Sequence, residues 1–359
     1  MNLKIGIVGL ANVGKSTLFN ALLKKQVAYA ANYPFATIEP NVGVVPVPDD
    51  RLGRLAEITK SEEKMDKLPP VRPATVEFVD IAGLVKGASE GQGLGNKFLS
   101  HIREVHIICH VVRYFPDQNI VHVAGSVDPK RDREIVETEL MLADLQTLNK
   151  QSEPNQTATK EERTRWDVIT KLKTGLNSGK LAREVIADPD LRSTIYDLQL
   201  LTMKPILYVA NVSEQQLNTP ILQLSNTPIL PICAETEAQL AGLTEPEQKE
   251  YLLSLGLEAS GLDRLIQKAY EMLGLISFLT TGVIESRAWT VERGTKAPQA
   301  AGVIHTDFEK KFIKADCISF ADFVSAGGWK KARELGKVRV EGKEYVMRDG
   351  DVVEFKIGT

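Results

Sequence analysis

Cysteine is scarce in this chain. There are three in 359 residues, Cys109, Cys233 and Cys317, far apart and without a Cys-x-x-Cys pair. That spacing excludes a disulfide framework and a cysteine-based zinc site, and an odd count suits a reducing compartment. There are only five histidines, of which His101, His106 and His110 lie close together. In an extended strand His106 and His110 share a face roughly 13 Å apart, too far for one ion, so core or surface positions are expected of them. No apolar run approaches the ~20 residues of a membrane span, and no basic and apolar leader precedes the first strand. A cytoplasmic protein without a membrane partner is expected. The net charge is only −3, which argues against attraction of the whole molecule to nucleic acid. No DNA partner is expected, and any RNA contact must come from a local patch. With 43% hydrophobic and 25% charged residues, the chain can bury a large core in two or three domains.

Against these absences stands one dense stretch, Ile5 to Asn20, in which an apolar strand runs into Gly9-Leu10-Ala11-Asn12-Val13-Gly14-Lys15-Ser16 and then into helix formers. The pattern Gly-x4-Gly-Lys-Ser in that context is a phosphate-binding loop. Gly9 and Gly14 let successive backbone N–H groups converge, and the following helix turns its positive dipole end to the same point. Asn12, Val13, Gly14, Lys15, Ser16 and Thr17 are the expected phosphate contacts. Lys15 reaches toward the β- and γ-phosphates, and Ser16 supplies a hydroxyl to Mg²⁺.

Two further stretches fit a nucleotide switch. Asn32 to Asn41 is a loop with two prolines, and its Thr37 offers a second hydroxyl to Mg²⁺ once a γ-phosphate is present; a plain surface loop is the alternative. A strand from Thr75 to Val79 ends at Asp80, roughly sixty residues after the phosphate loop, where this fold keeps its metal carboxylate. Asp80-Ile81-Ala82-Gly83 then opens a glycine-rich segment in which the Gly83 N–H can report the γ-phosphate.

Farther along, His106 to Phe115 reads as a strand covered on both faces. From Asp128-Pro129 the chain becomes a charged helical hairpin, either a solvated arm or a partner-binding one. The α/β pattern resumes at Pro205. One strand ends in Asn211-Val212-Ser213-Glu214 and the next in Cys233-Ala234-Glu235, so Asn211, Glu214, Cys233 and Ala234 are the expected base contacts. After residue 275 short strands and turns are expected, at Val283–Thr290, Lys337–Val340, Lys343–Met347 and Val352–Ile357. This last part carries 14 basic against 12 acidic residues, with the basic ones bunched at Lys310, Lys311, Lys314 and from Lys330 to Arg339. Such bunches are either a solvated face or an RNA contact.

The motifs at 9–17, 32–41 and 80–88, with Thr295 to Gly302 and Ile304 to Glu309, together resemble the YchF subfamily of Obg-like translation-factor NTPases, essentially end to end. Ala11 departs from the usual proline, and His106 from a common acidic residue; neither removes a phosphate or metal contact. The resemblance implies an α/β fold: a Ras-like P-loop domain with a mostly parallel doubly wound sheet at 1–127 and 201–275, an inserted α-helical coiled-coil hairpin at 128–200, and a C-terminal β-grasp TGS domain at 276–359. It implies a ribosome partner and ATP hydrolysis.

The expected chemistry is attack of water on the γ-phosphate, with Lys15, Mg²⁺ and loop amides stabilising the developing charge. Leu84 stands where many relatives carry a water-orienting glutamine, so intrinsic hydrolysis is expected to be slow and stimulated by a partner. His122 is the nearest titratable candidate for that task. Asn12 offers an oxygen for K⁺. ATP is expected over GTP, because Glu214 replaces the aspartate that pairs with guanine in Asn-Lys-x-Asp and the lysine is gone. The alternatives are a site that takes both purines, a nucleotide-dependent scaffold with incidental hydrolysis, and a P-loop kinase, against which the absence of an arginine-rich lid speaks.

Overall fold

The computed structural model describes residues 3–32, 41–81, 94–116, 126–219 and 229–358. Thr37, Gly83, Leu84 and His122, for which roles are expected above, lie outside the described residues. In chain order the first half runs β1 (Lys4–Val8), α1 (Lys15–Asn32), β2 (Val42–Pro46), α2 (Arg51–Glu62), β3 (Val71–Arg72), β4 (Thr75–Asp80), α3 (Leu94–Glu104), β5 (Ile107–Arg113), α4 (Pro129–Asn149), α5 (Lys160–Asn177), α6 (Ala182–Val185) and α7 (Pro189–Ser193). It continues with β6 (Ile206–Asn211), β7 (Ile229–Ile232), α8 (Ala234–Leu240), α9 (Glu245–Ser254), α10 (Gly261–Met272), β8 (Leu275–Thr281) and β9 (Ser286–Glu292). Last come α11 (Ala297–Ile304), α12 (Thr306–Lys310), β10 (Phe312–Ser319), α13 (Phe320–Ala326), α14 (Trp329–Glu334), β11 (Arg339–Glu341) and β12 (Asp351–Ile357).

The chain divides into two compact units, residues 1–44 with 77–265, and residues 45–76 with 266–359. In the first, a six-stranded sheet has the order β2-β4-β1-β5-β6-β7. Its pairings β4–β1, β1–β5, β5–β6 and β6–β7 are all parallel. All seven residues of β5 and all six of β6 are buried, which explains their continuous apolar runs: a parallel strand covered on both faces has no solvent side to alternate toward. Successive strands depart to opposite sides of β1, so the loop leaving β1 opens at the switch point where such sheets bind ligands.

The helical insertion starts where Asp128 accepts a hydrogen bond from the Arg131 N–H at 3.1 Å, with Pro129 in the first helical position. Thr159 and Glu162 form a reciprocal capping box at the start of α5. One seam packs Leu148 against Val168, Ile169, Leu172 and Leu176. Asp144, fully buried on α4, accepts from the Leu201 and Thr202 N–H groups at 2.7 and 2.8 Å and from the Thr202 hydroxyl at 2.6 Å. These bonds fasten the hairpin to the segment that leads into β6.

The second unit holds a sheet of order β11-β10-β12-β8-β9-β3. β8 and β9 form an antiparallel hairpin, β12 returns parallel to β8, and α11 covers the sheet with Ala297, Ala300 and Ala301 fully buried. Within residues 275–358 the first strand, β8, and the last, β12, lie side by side beneath a helix, a β-grasp arrangement.

Three features depart from the sequence-based expectations. Residues 45–76, expected in the nucleotide-binding domain, pack with the C-terminal unit: β3 pairs with β9, Arg72 bridges to Glu285 at 2.8 Å, and Glu62 accepts from the Trp329 and Lys330 N–H groups at the start of α14. A segment joins whichever core buries its apolar face, here Leu52, Leu55, Ala56 and Ile58 of α2. The C-terminal unit is not only short strands and turns: it contains the helices α11 to α14, and its β10 is an eight-residue strand with a register shift between Phe312 and Lys314. Lys343–Met347 contributes an isolated bridge between Val346 and Lys296 in place of a strand.

Candidate nucleotide-binding site

A cleft of about 700 Å³ opens at the carboxyl ends of β1, β5, β6 and β7, and one side of it is the loop from Asn12 to Thr17. Two glycines permit this loop. A Cβ on Gly9 would lie 2.4 Å from the Val111 carbonyl oxygen, and one on Gly14, where φ is +97°, would lie 2.1 Å from Asn211 Nδ2. Asn12 adopts φ +61°, a left-handed conformation that asparagine tolerates better than most residues. Helix α1 starts at Lys15 with no acidic residue in its own first turn. Ser16 and Thr17 in that turn border the cleft.

Lys15 is 7% exposed, and its ammonium donates to the Leu10 carbonyl. Burial lowers its pKa, and the charge of Asp80 at the end of β4 opposes that shift. Burial in turn raises the Asp80 pKa, against the influence of Lys15. The charges of Lys15 and Asp80 thus act on one another beside the first turn of α1, where a phosphate chain and a hard divalent cation would each find a partner. The Ser16 hydroxyl and the Asp80 carboxylate are oxygen donors of the kind Mg²⁺ takes. Among the described residues no three His, Cys, Asp or Glu side chains converge as a metal site.

Asn211 organises the other end of the cleft. At 5% exposure, its Nδ2 donates to the Val13 carbonyl at 2.9 Å and its Oδ1 accepts from the Ala234 N–H at 3.1 Å. The first N–H groups of a helix lack intrahelical partners, and Cys233 at the N-cap of α8 makes no side-chain cap. Asn211 supplies that cap from a neighbouring strand. One amide thereby joins the phosphate loop, β6 and α8, with its orientation set by neighbours of opposite polarity. One N–H and one lone pair remain uncommitted by these two bonds.

Glu214 borders the cleft, but its Oε2 accepts from the Thr236 hydroxyl at 3.2 Å and from the Tyr251 hydroxyl at 2.8 Å. Cys233 and Ala234 line the wall beside Asn211. Of the expected contacts, the structure therefore brings Asn12 and Gly14 to Thr17 together with Asn211, Glu214, Cys233 and Ala234 around one cleft, with Val13 buried behind it and Asp80 beside Lys15. The sequence-based set omitted Phe115 and Pro116, which also line the cleft. Arg113, fully buried, lies over the Phe115 ring at 4.5 Å and donates to the Phe115 carbonyl at 3.0 Å. Their place just beyond β5 was the available signal, since residues there face the ligand crevice. His110, by contrast, is core, while His106 is exposed and accepts from the Lys4 N–H at 3.1 Å.

Comparison with known proteins places the chain among relatives of full length. A family model described as a 50S ribosome-binding GTPase matches residues 4–170, and the model for the C-terminal part of YchF GTPases, described as a protein of unknown function, matches residues 275–358. The chain is 47% identical to the ribosome-binding ATPase YchF of Bacillus subtilis and 47% identical to that of Escherichia coli O157:H7, in each case over 99% of both chains. The solved structure of the Schizosaccharomyces pombe YchF GTPase superposes with a TM-score of 0.86 at 39% identity, covering 99% of this chain and 98% of that one.

Proposed function

The chain belongs to the YchF family, and from that premise we propose that it is a ribosome-associated P-loop ATPase of the cytoplasm that binds ATP in preference to GTP and hydrolyses its γ-phosphate. The observation that carries the base preference is the locked amide of Asn211. Its free N–H and lone pair complement adenine, which presents an acceptor at N7 and a donor at N6, whereas guanine presents two acceptors along the same edge. Bacterial relatives are named ATPases and the fission-yeast one a GTPase, so side-chain chemistry decides where names divide.

Lys15 and the N–H groups of the phosphate loop hold the phosphates and stabilise charge as it moves toward the leaving oxygen. Ser16 and Asp80 hold Mg²⁺, with Thr37 as a third candidate, and that ion neutralises phosphate charge when bound. Asn12, exposed at the rim of the loop, is the candidate ligand for K⁺. Gly83 is the candidate for γ-phosphate sensing and His122 for positioning of the attacking water. The helical insertion and the C-terminal domain, read as a TGS domain, carry the ribosome contact.

Titration of the full chain with ATP and GTP in Mg²⁺, followed by phosphate release with and without ribosomes, tests the proposal. Tighter binding of ATP, slow release alone, acceleration by ribosomes and loss of turnover in Lys15→Ala are expected. A GTP dissociation constant equal to or below that for ATP would refute the base assignment.

A further inference from the structure

Glu214 occupies the position from which a carboxylate pairs with guanine, and such pairing uses both carboxylate oxygens, one for the ring N1–H and one for the exocyclic amine. In this chain one of the two is already committed. Oε2 has two lone pairs, and the hydroxyls of Thr236, on α8, and Tyr251, on α9, account for both at 3.2 and 2.8 Å. The Tyr251 oxygen also lies 3.3 Å from Gln239 Oε1, but its single proton is drawn to the shorter, charged acceptor. A guanine therefore meets Glu214 only after one of these bonds has broken. Adenine, with an acceptor at N1 and a carbon-bound hydrogen at C2, asks nothing of the carboxylate.

We propose that Tyr251 is a specificity-determining positioning residue: by holding the Glu214 carboxylate toward α8 and α9, it withholds the second oxygen from guanine. The inference rests on the reading of this cleft as a purine nucleotide site. It adds that the purine choice depends on a side chain that does not line the cleft, and not only on the identity of residue 214.

The test uses the full-length chain with Mg²⁺ and isothermal titration of ATP, GTP and ITP. In Tyr251→Phe the ring remains and only the hydroxyl is lost. The expected result is a dissociation constant for GTP lowered about fivefold, the effect of freeing one hydrogen bond to a partly exposed charge. ITP, which has the N1–H but lacks the exocyclic amine, should gain less, and ATP should stay constant. Thr236→Val should move the ratio in the same direction. In a Glu214→Gln background the Tyr251→Phe change should leave the ratio where it was, because its effect passes through the carboxylate. An unchanged GTP-to-ATP ratio in Tyr251→Phe overturns the proposal, as does an equal shift in the Glu214→Gln background. Failure of the unmodified chain to bind either nucleotide would remove the purine-site reading, and this inference with it, before any variant is made.

Discussion

Replacing Asn211 with alanine should destabilise the nucleotide-binding unit far more than the loss of one polar side chain usually does. Both partners of the amide belong to buried residues, Val13 at 1% exposure and Ala234 at 4%. Removing the side chain leaves a carbonyl and a helix-initiating N–H without their partners at 2.9 and 3.1 Å. Leaving a buried polar group unsatisfied costs about 1–3 kcal/mol, so the pair amounts to about 2–6 kcal/mol, with the lower half favoured because water can enter from the cleft. Out of a typical total of about 5–15 kcal/mol, that is a large fraction. The measurement is urea denaturation of the nucleotide-free chain by far-UV circular dichroism, with hydrogen exchange at the first amides of α8 as the local readout. Asn211→Asp sharpens the test. An aspartate keeps the acceptor for Ala234 but sets a second oxygen against the Val13 carbonyl, and only its protonated form can donate there. Its folded pKa should therefore be raised above the ordinary ~3.9, so the stability it retains is full below that value and is lost as pH rises through the folded pKa. The variant should approach the parent chain near pH 4 and fall behind it at pH 7. A loss below about 0.5 kcal/mol for Asn211→Ala, the range of an ordinary surface change, would refute the role given to the amide.

Burial, reinforced by the charges of Arg133 and Lys15, lowers the His110 pKa to about 3. Between pH 6.5 and that value the unfolded chain takes up a proton that the folded chain refuses, so stability falls as pH falls. The contribution is about 1.4 kcal/mol per unit, or about 2 kcal/mol at pH 5. His110→Leu should lose this part of the pH slope, and a slope identical to the parent's in parallel denaturation series would contradict it. In the C-terminal unit, Glu62→Ala should cost about 1–2 kcal/mol, because its carboxylate caps the first N–H groups of α14; hydrogen exchange at Trp329 and Lys330 should rise with it. Phosphate release should be faster in K⁺ than in Na⁺, and Asn12→Ala should abolish the difference; equal rates in both salts with the unmodified chain would remove the cation role.

Some of this protein can be read from local pattern, because the causes are local. The phosphate loop needs glycine where backbone crowding or positive φ demands it, and Gly9 and Gly14 stand at those places. The buried strands β5 and β6 show themselves as unbroken apolar runs, and α4 begins at a recognisable Asp128-Pro129 cap. The places of Asn211, Glu214, Cys233 and Ala234 at strand ends follow from the chain path of a doubly wound sheet. Other features depend on which surfaces meet. An amphipathic helix such as α2 declares that it will be buried, not against which core, and only packing assigns residues 45–76 to the C-terminal unit. β10 is hidden by the register shift between Phe312 and Lys314, where the apolar Phe312 and Ile313 stand side by side, and pairing with β11 and β12 decides it. Asn211 carries a donor and an acceptor wherever it lies, but the direction each points is set by the Val13 carbonyl and the Ala234 N–H, distant in sequence and adjacent only in the fold. In the same way residue 214 brings a carboxylate, and Tyr251, thirty-seven positions later, determines where that carboxylate rests.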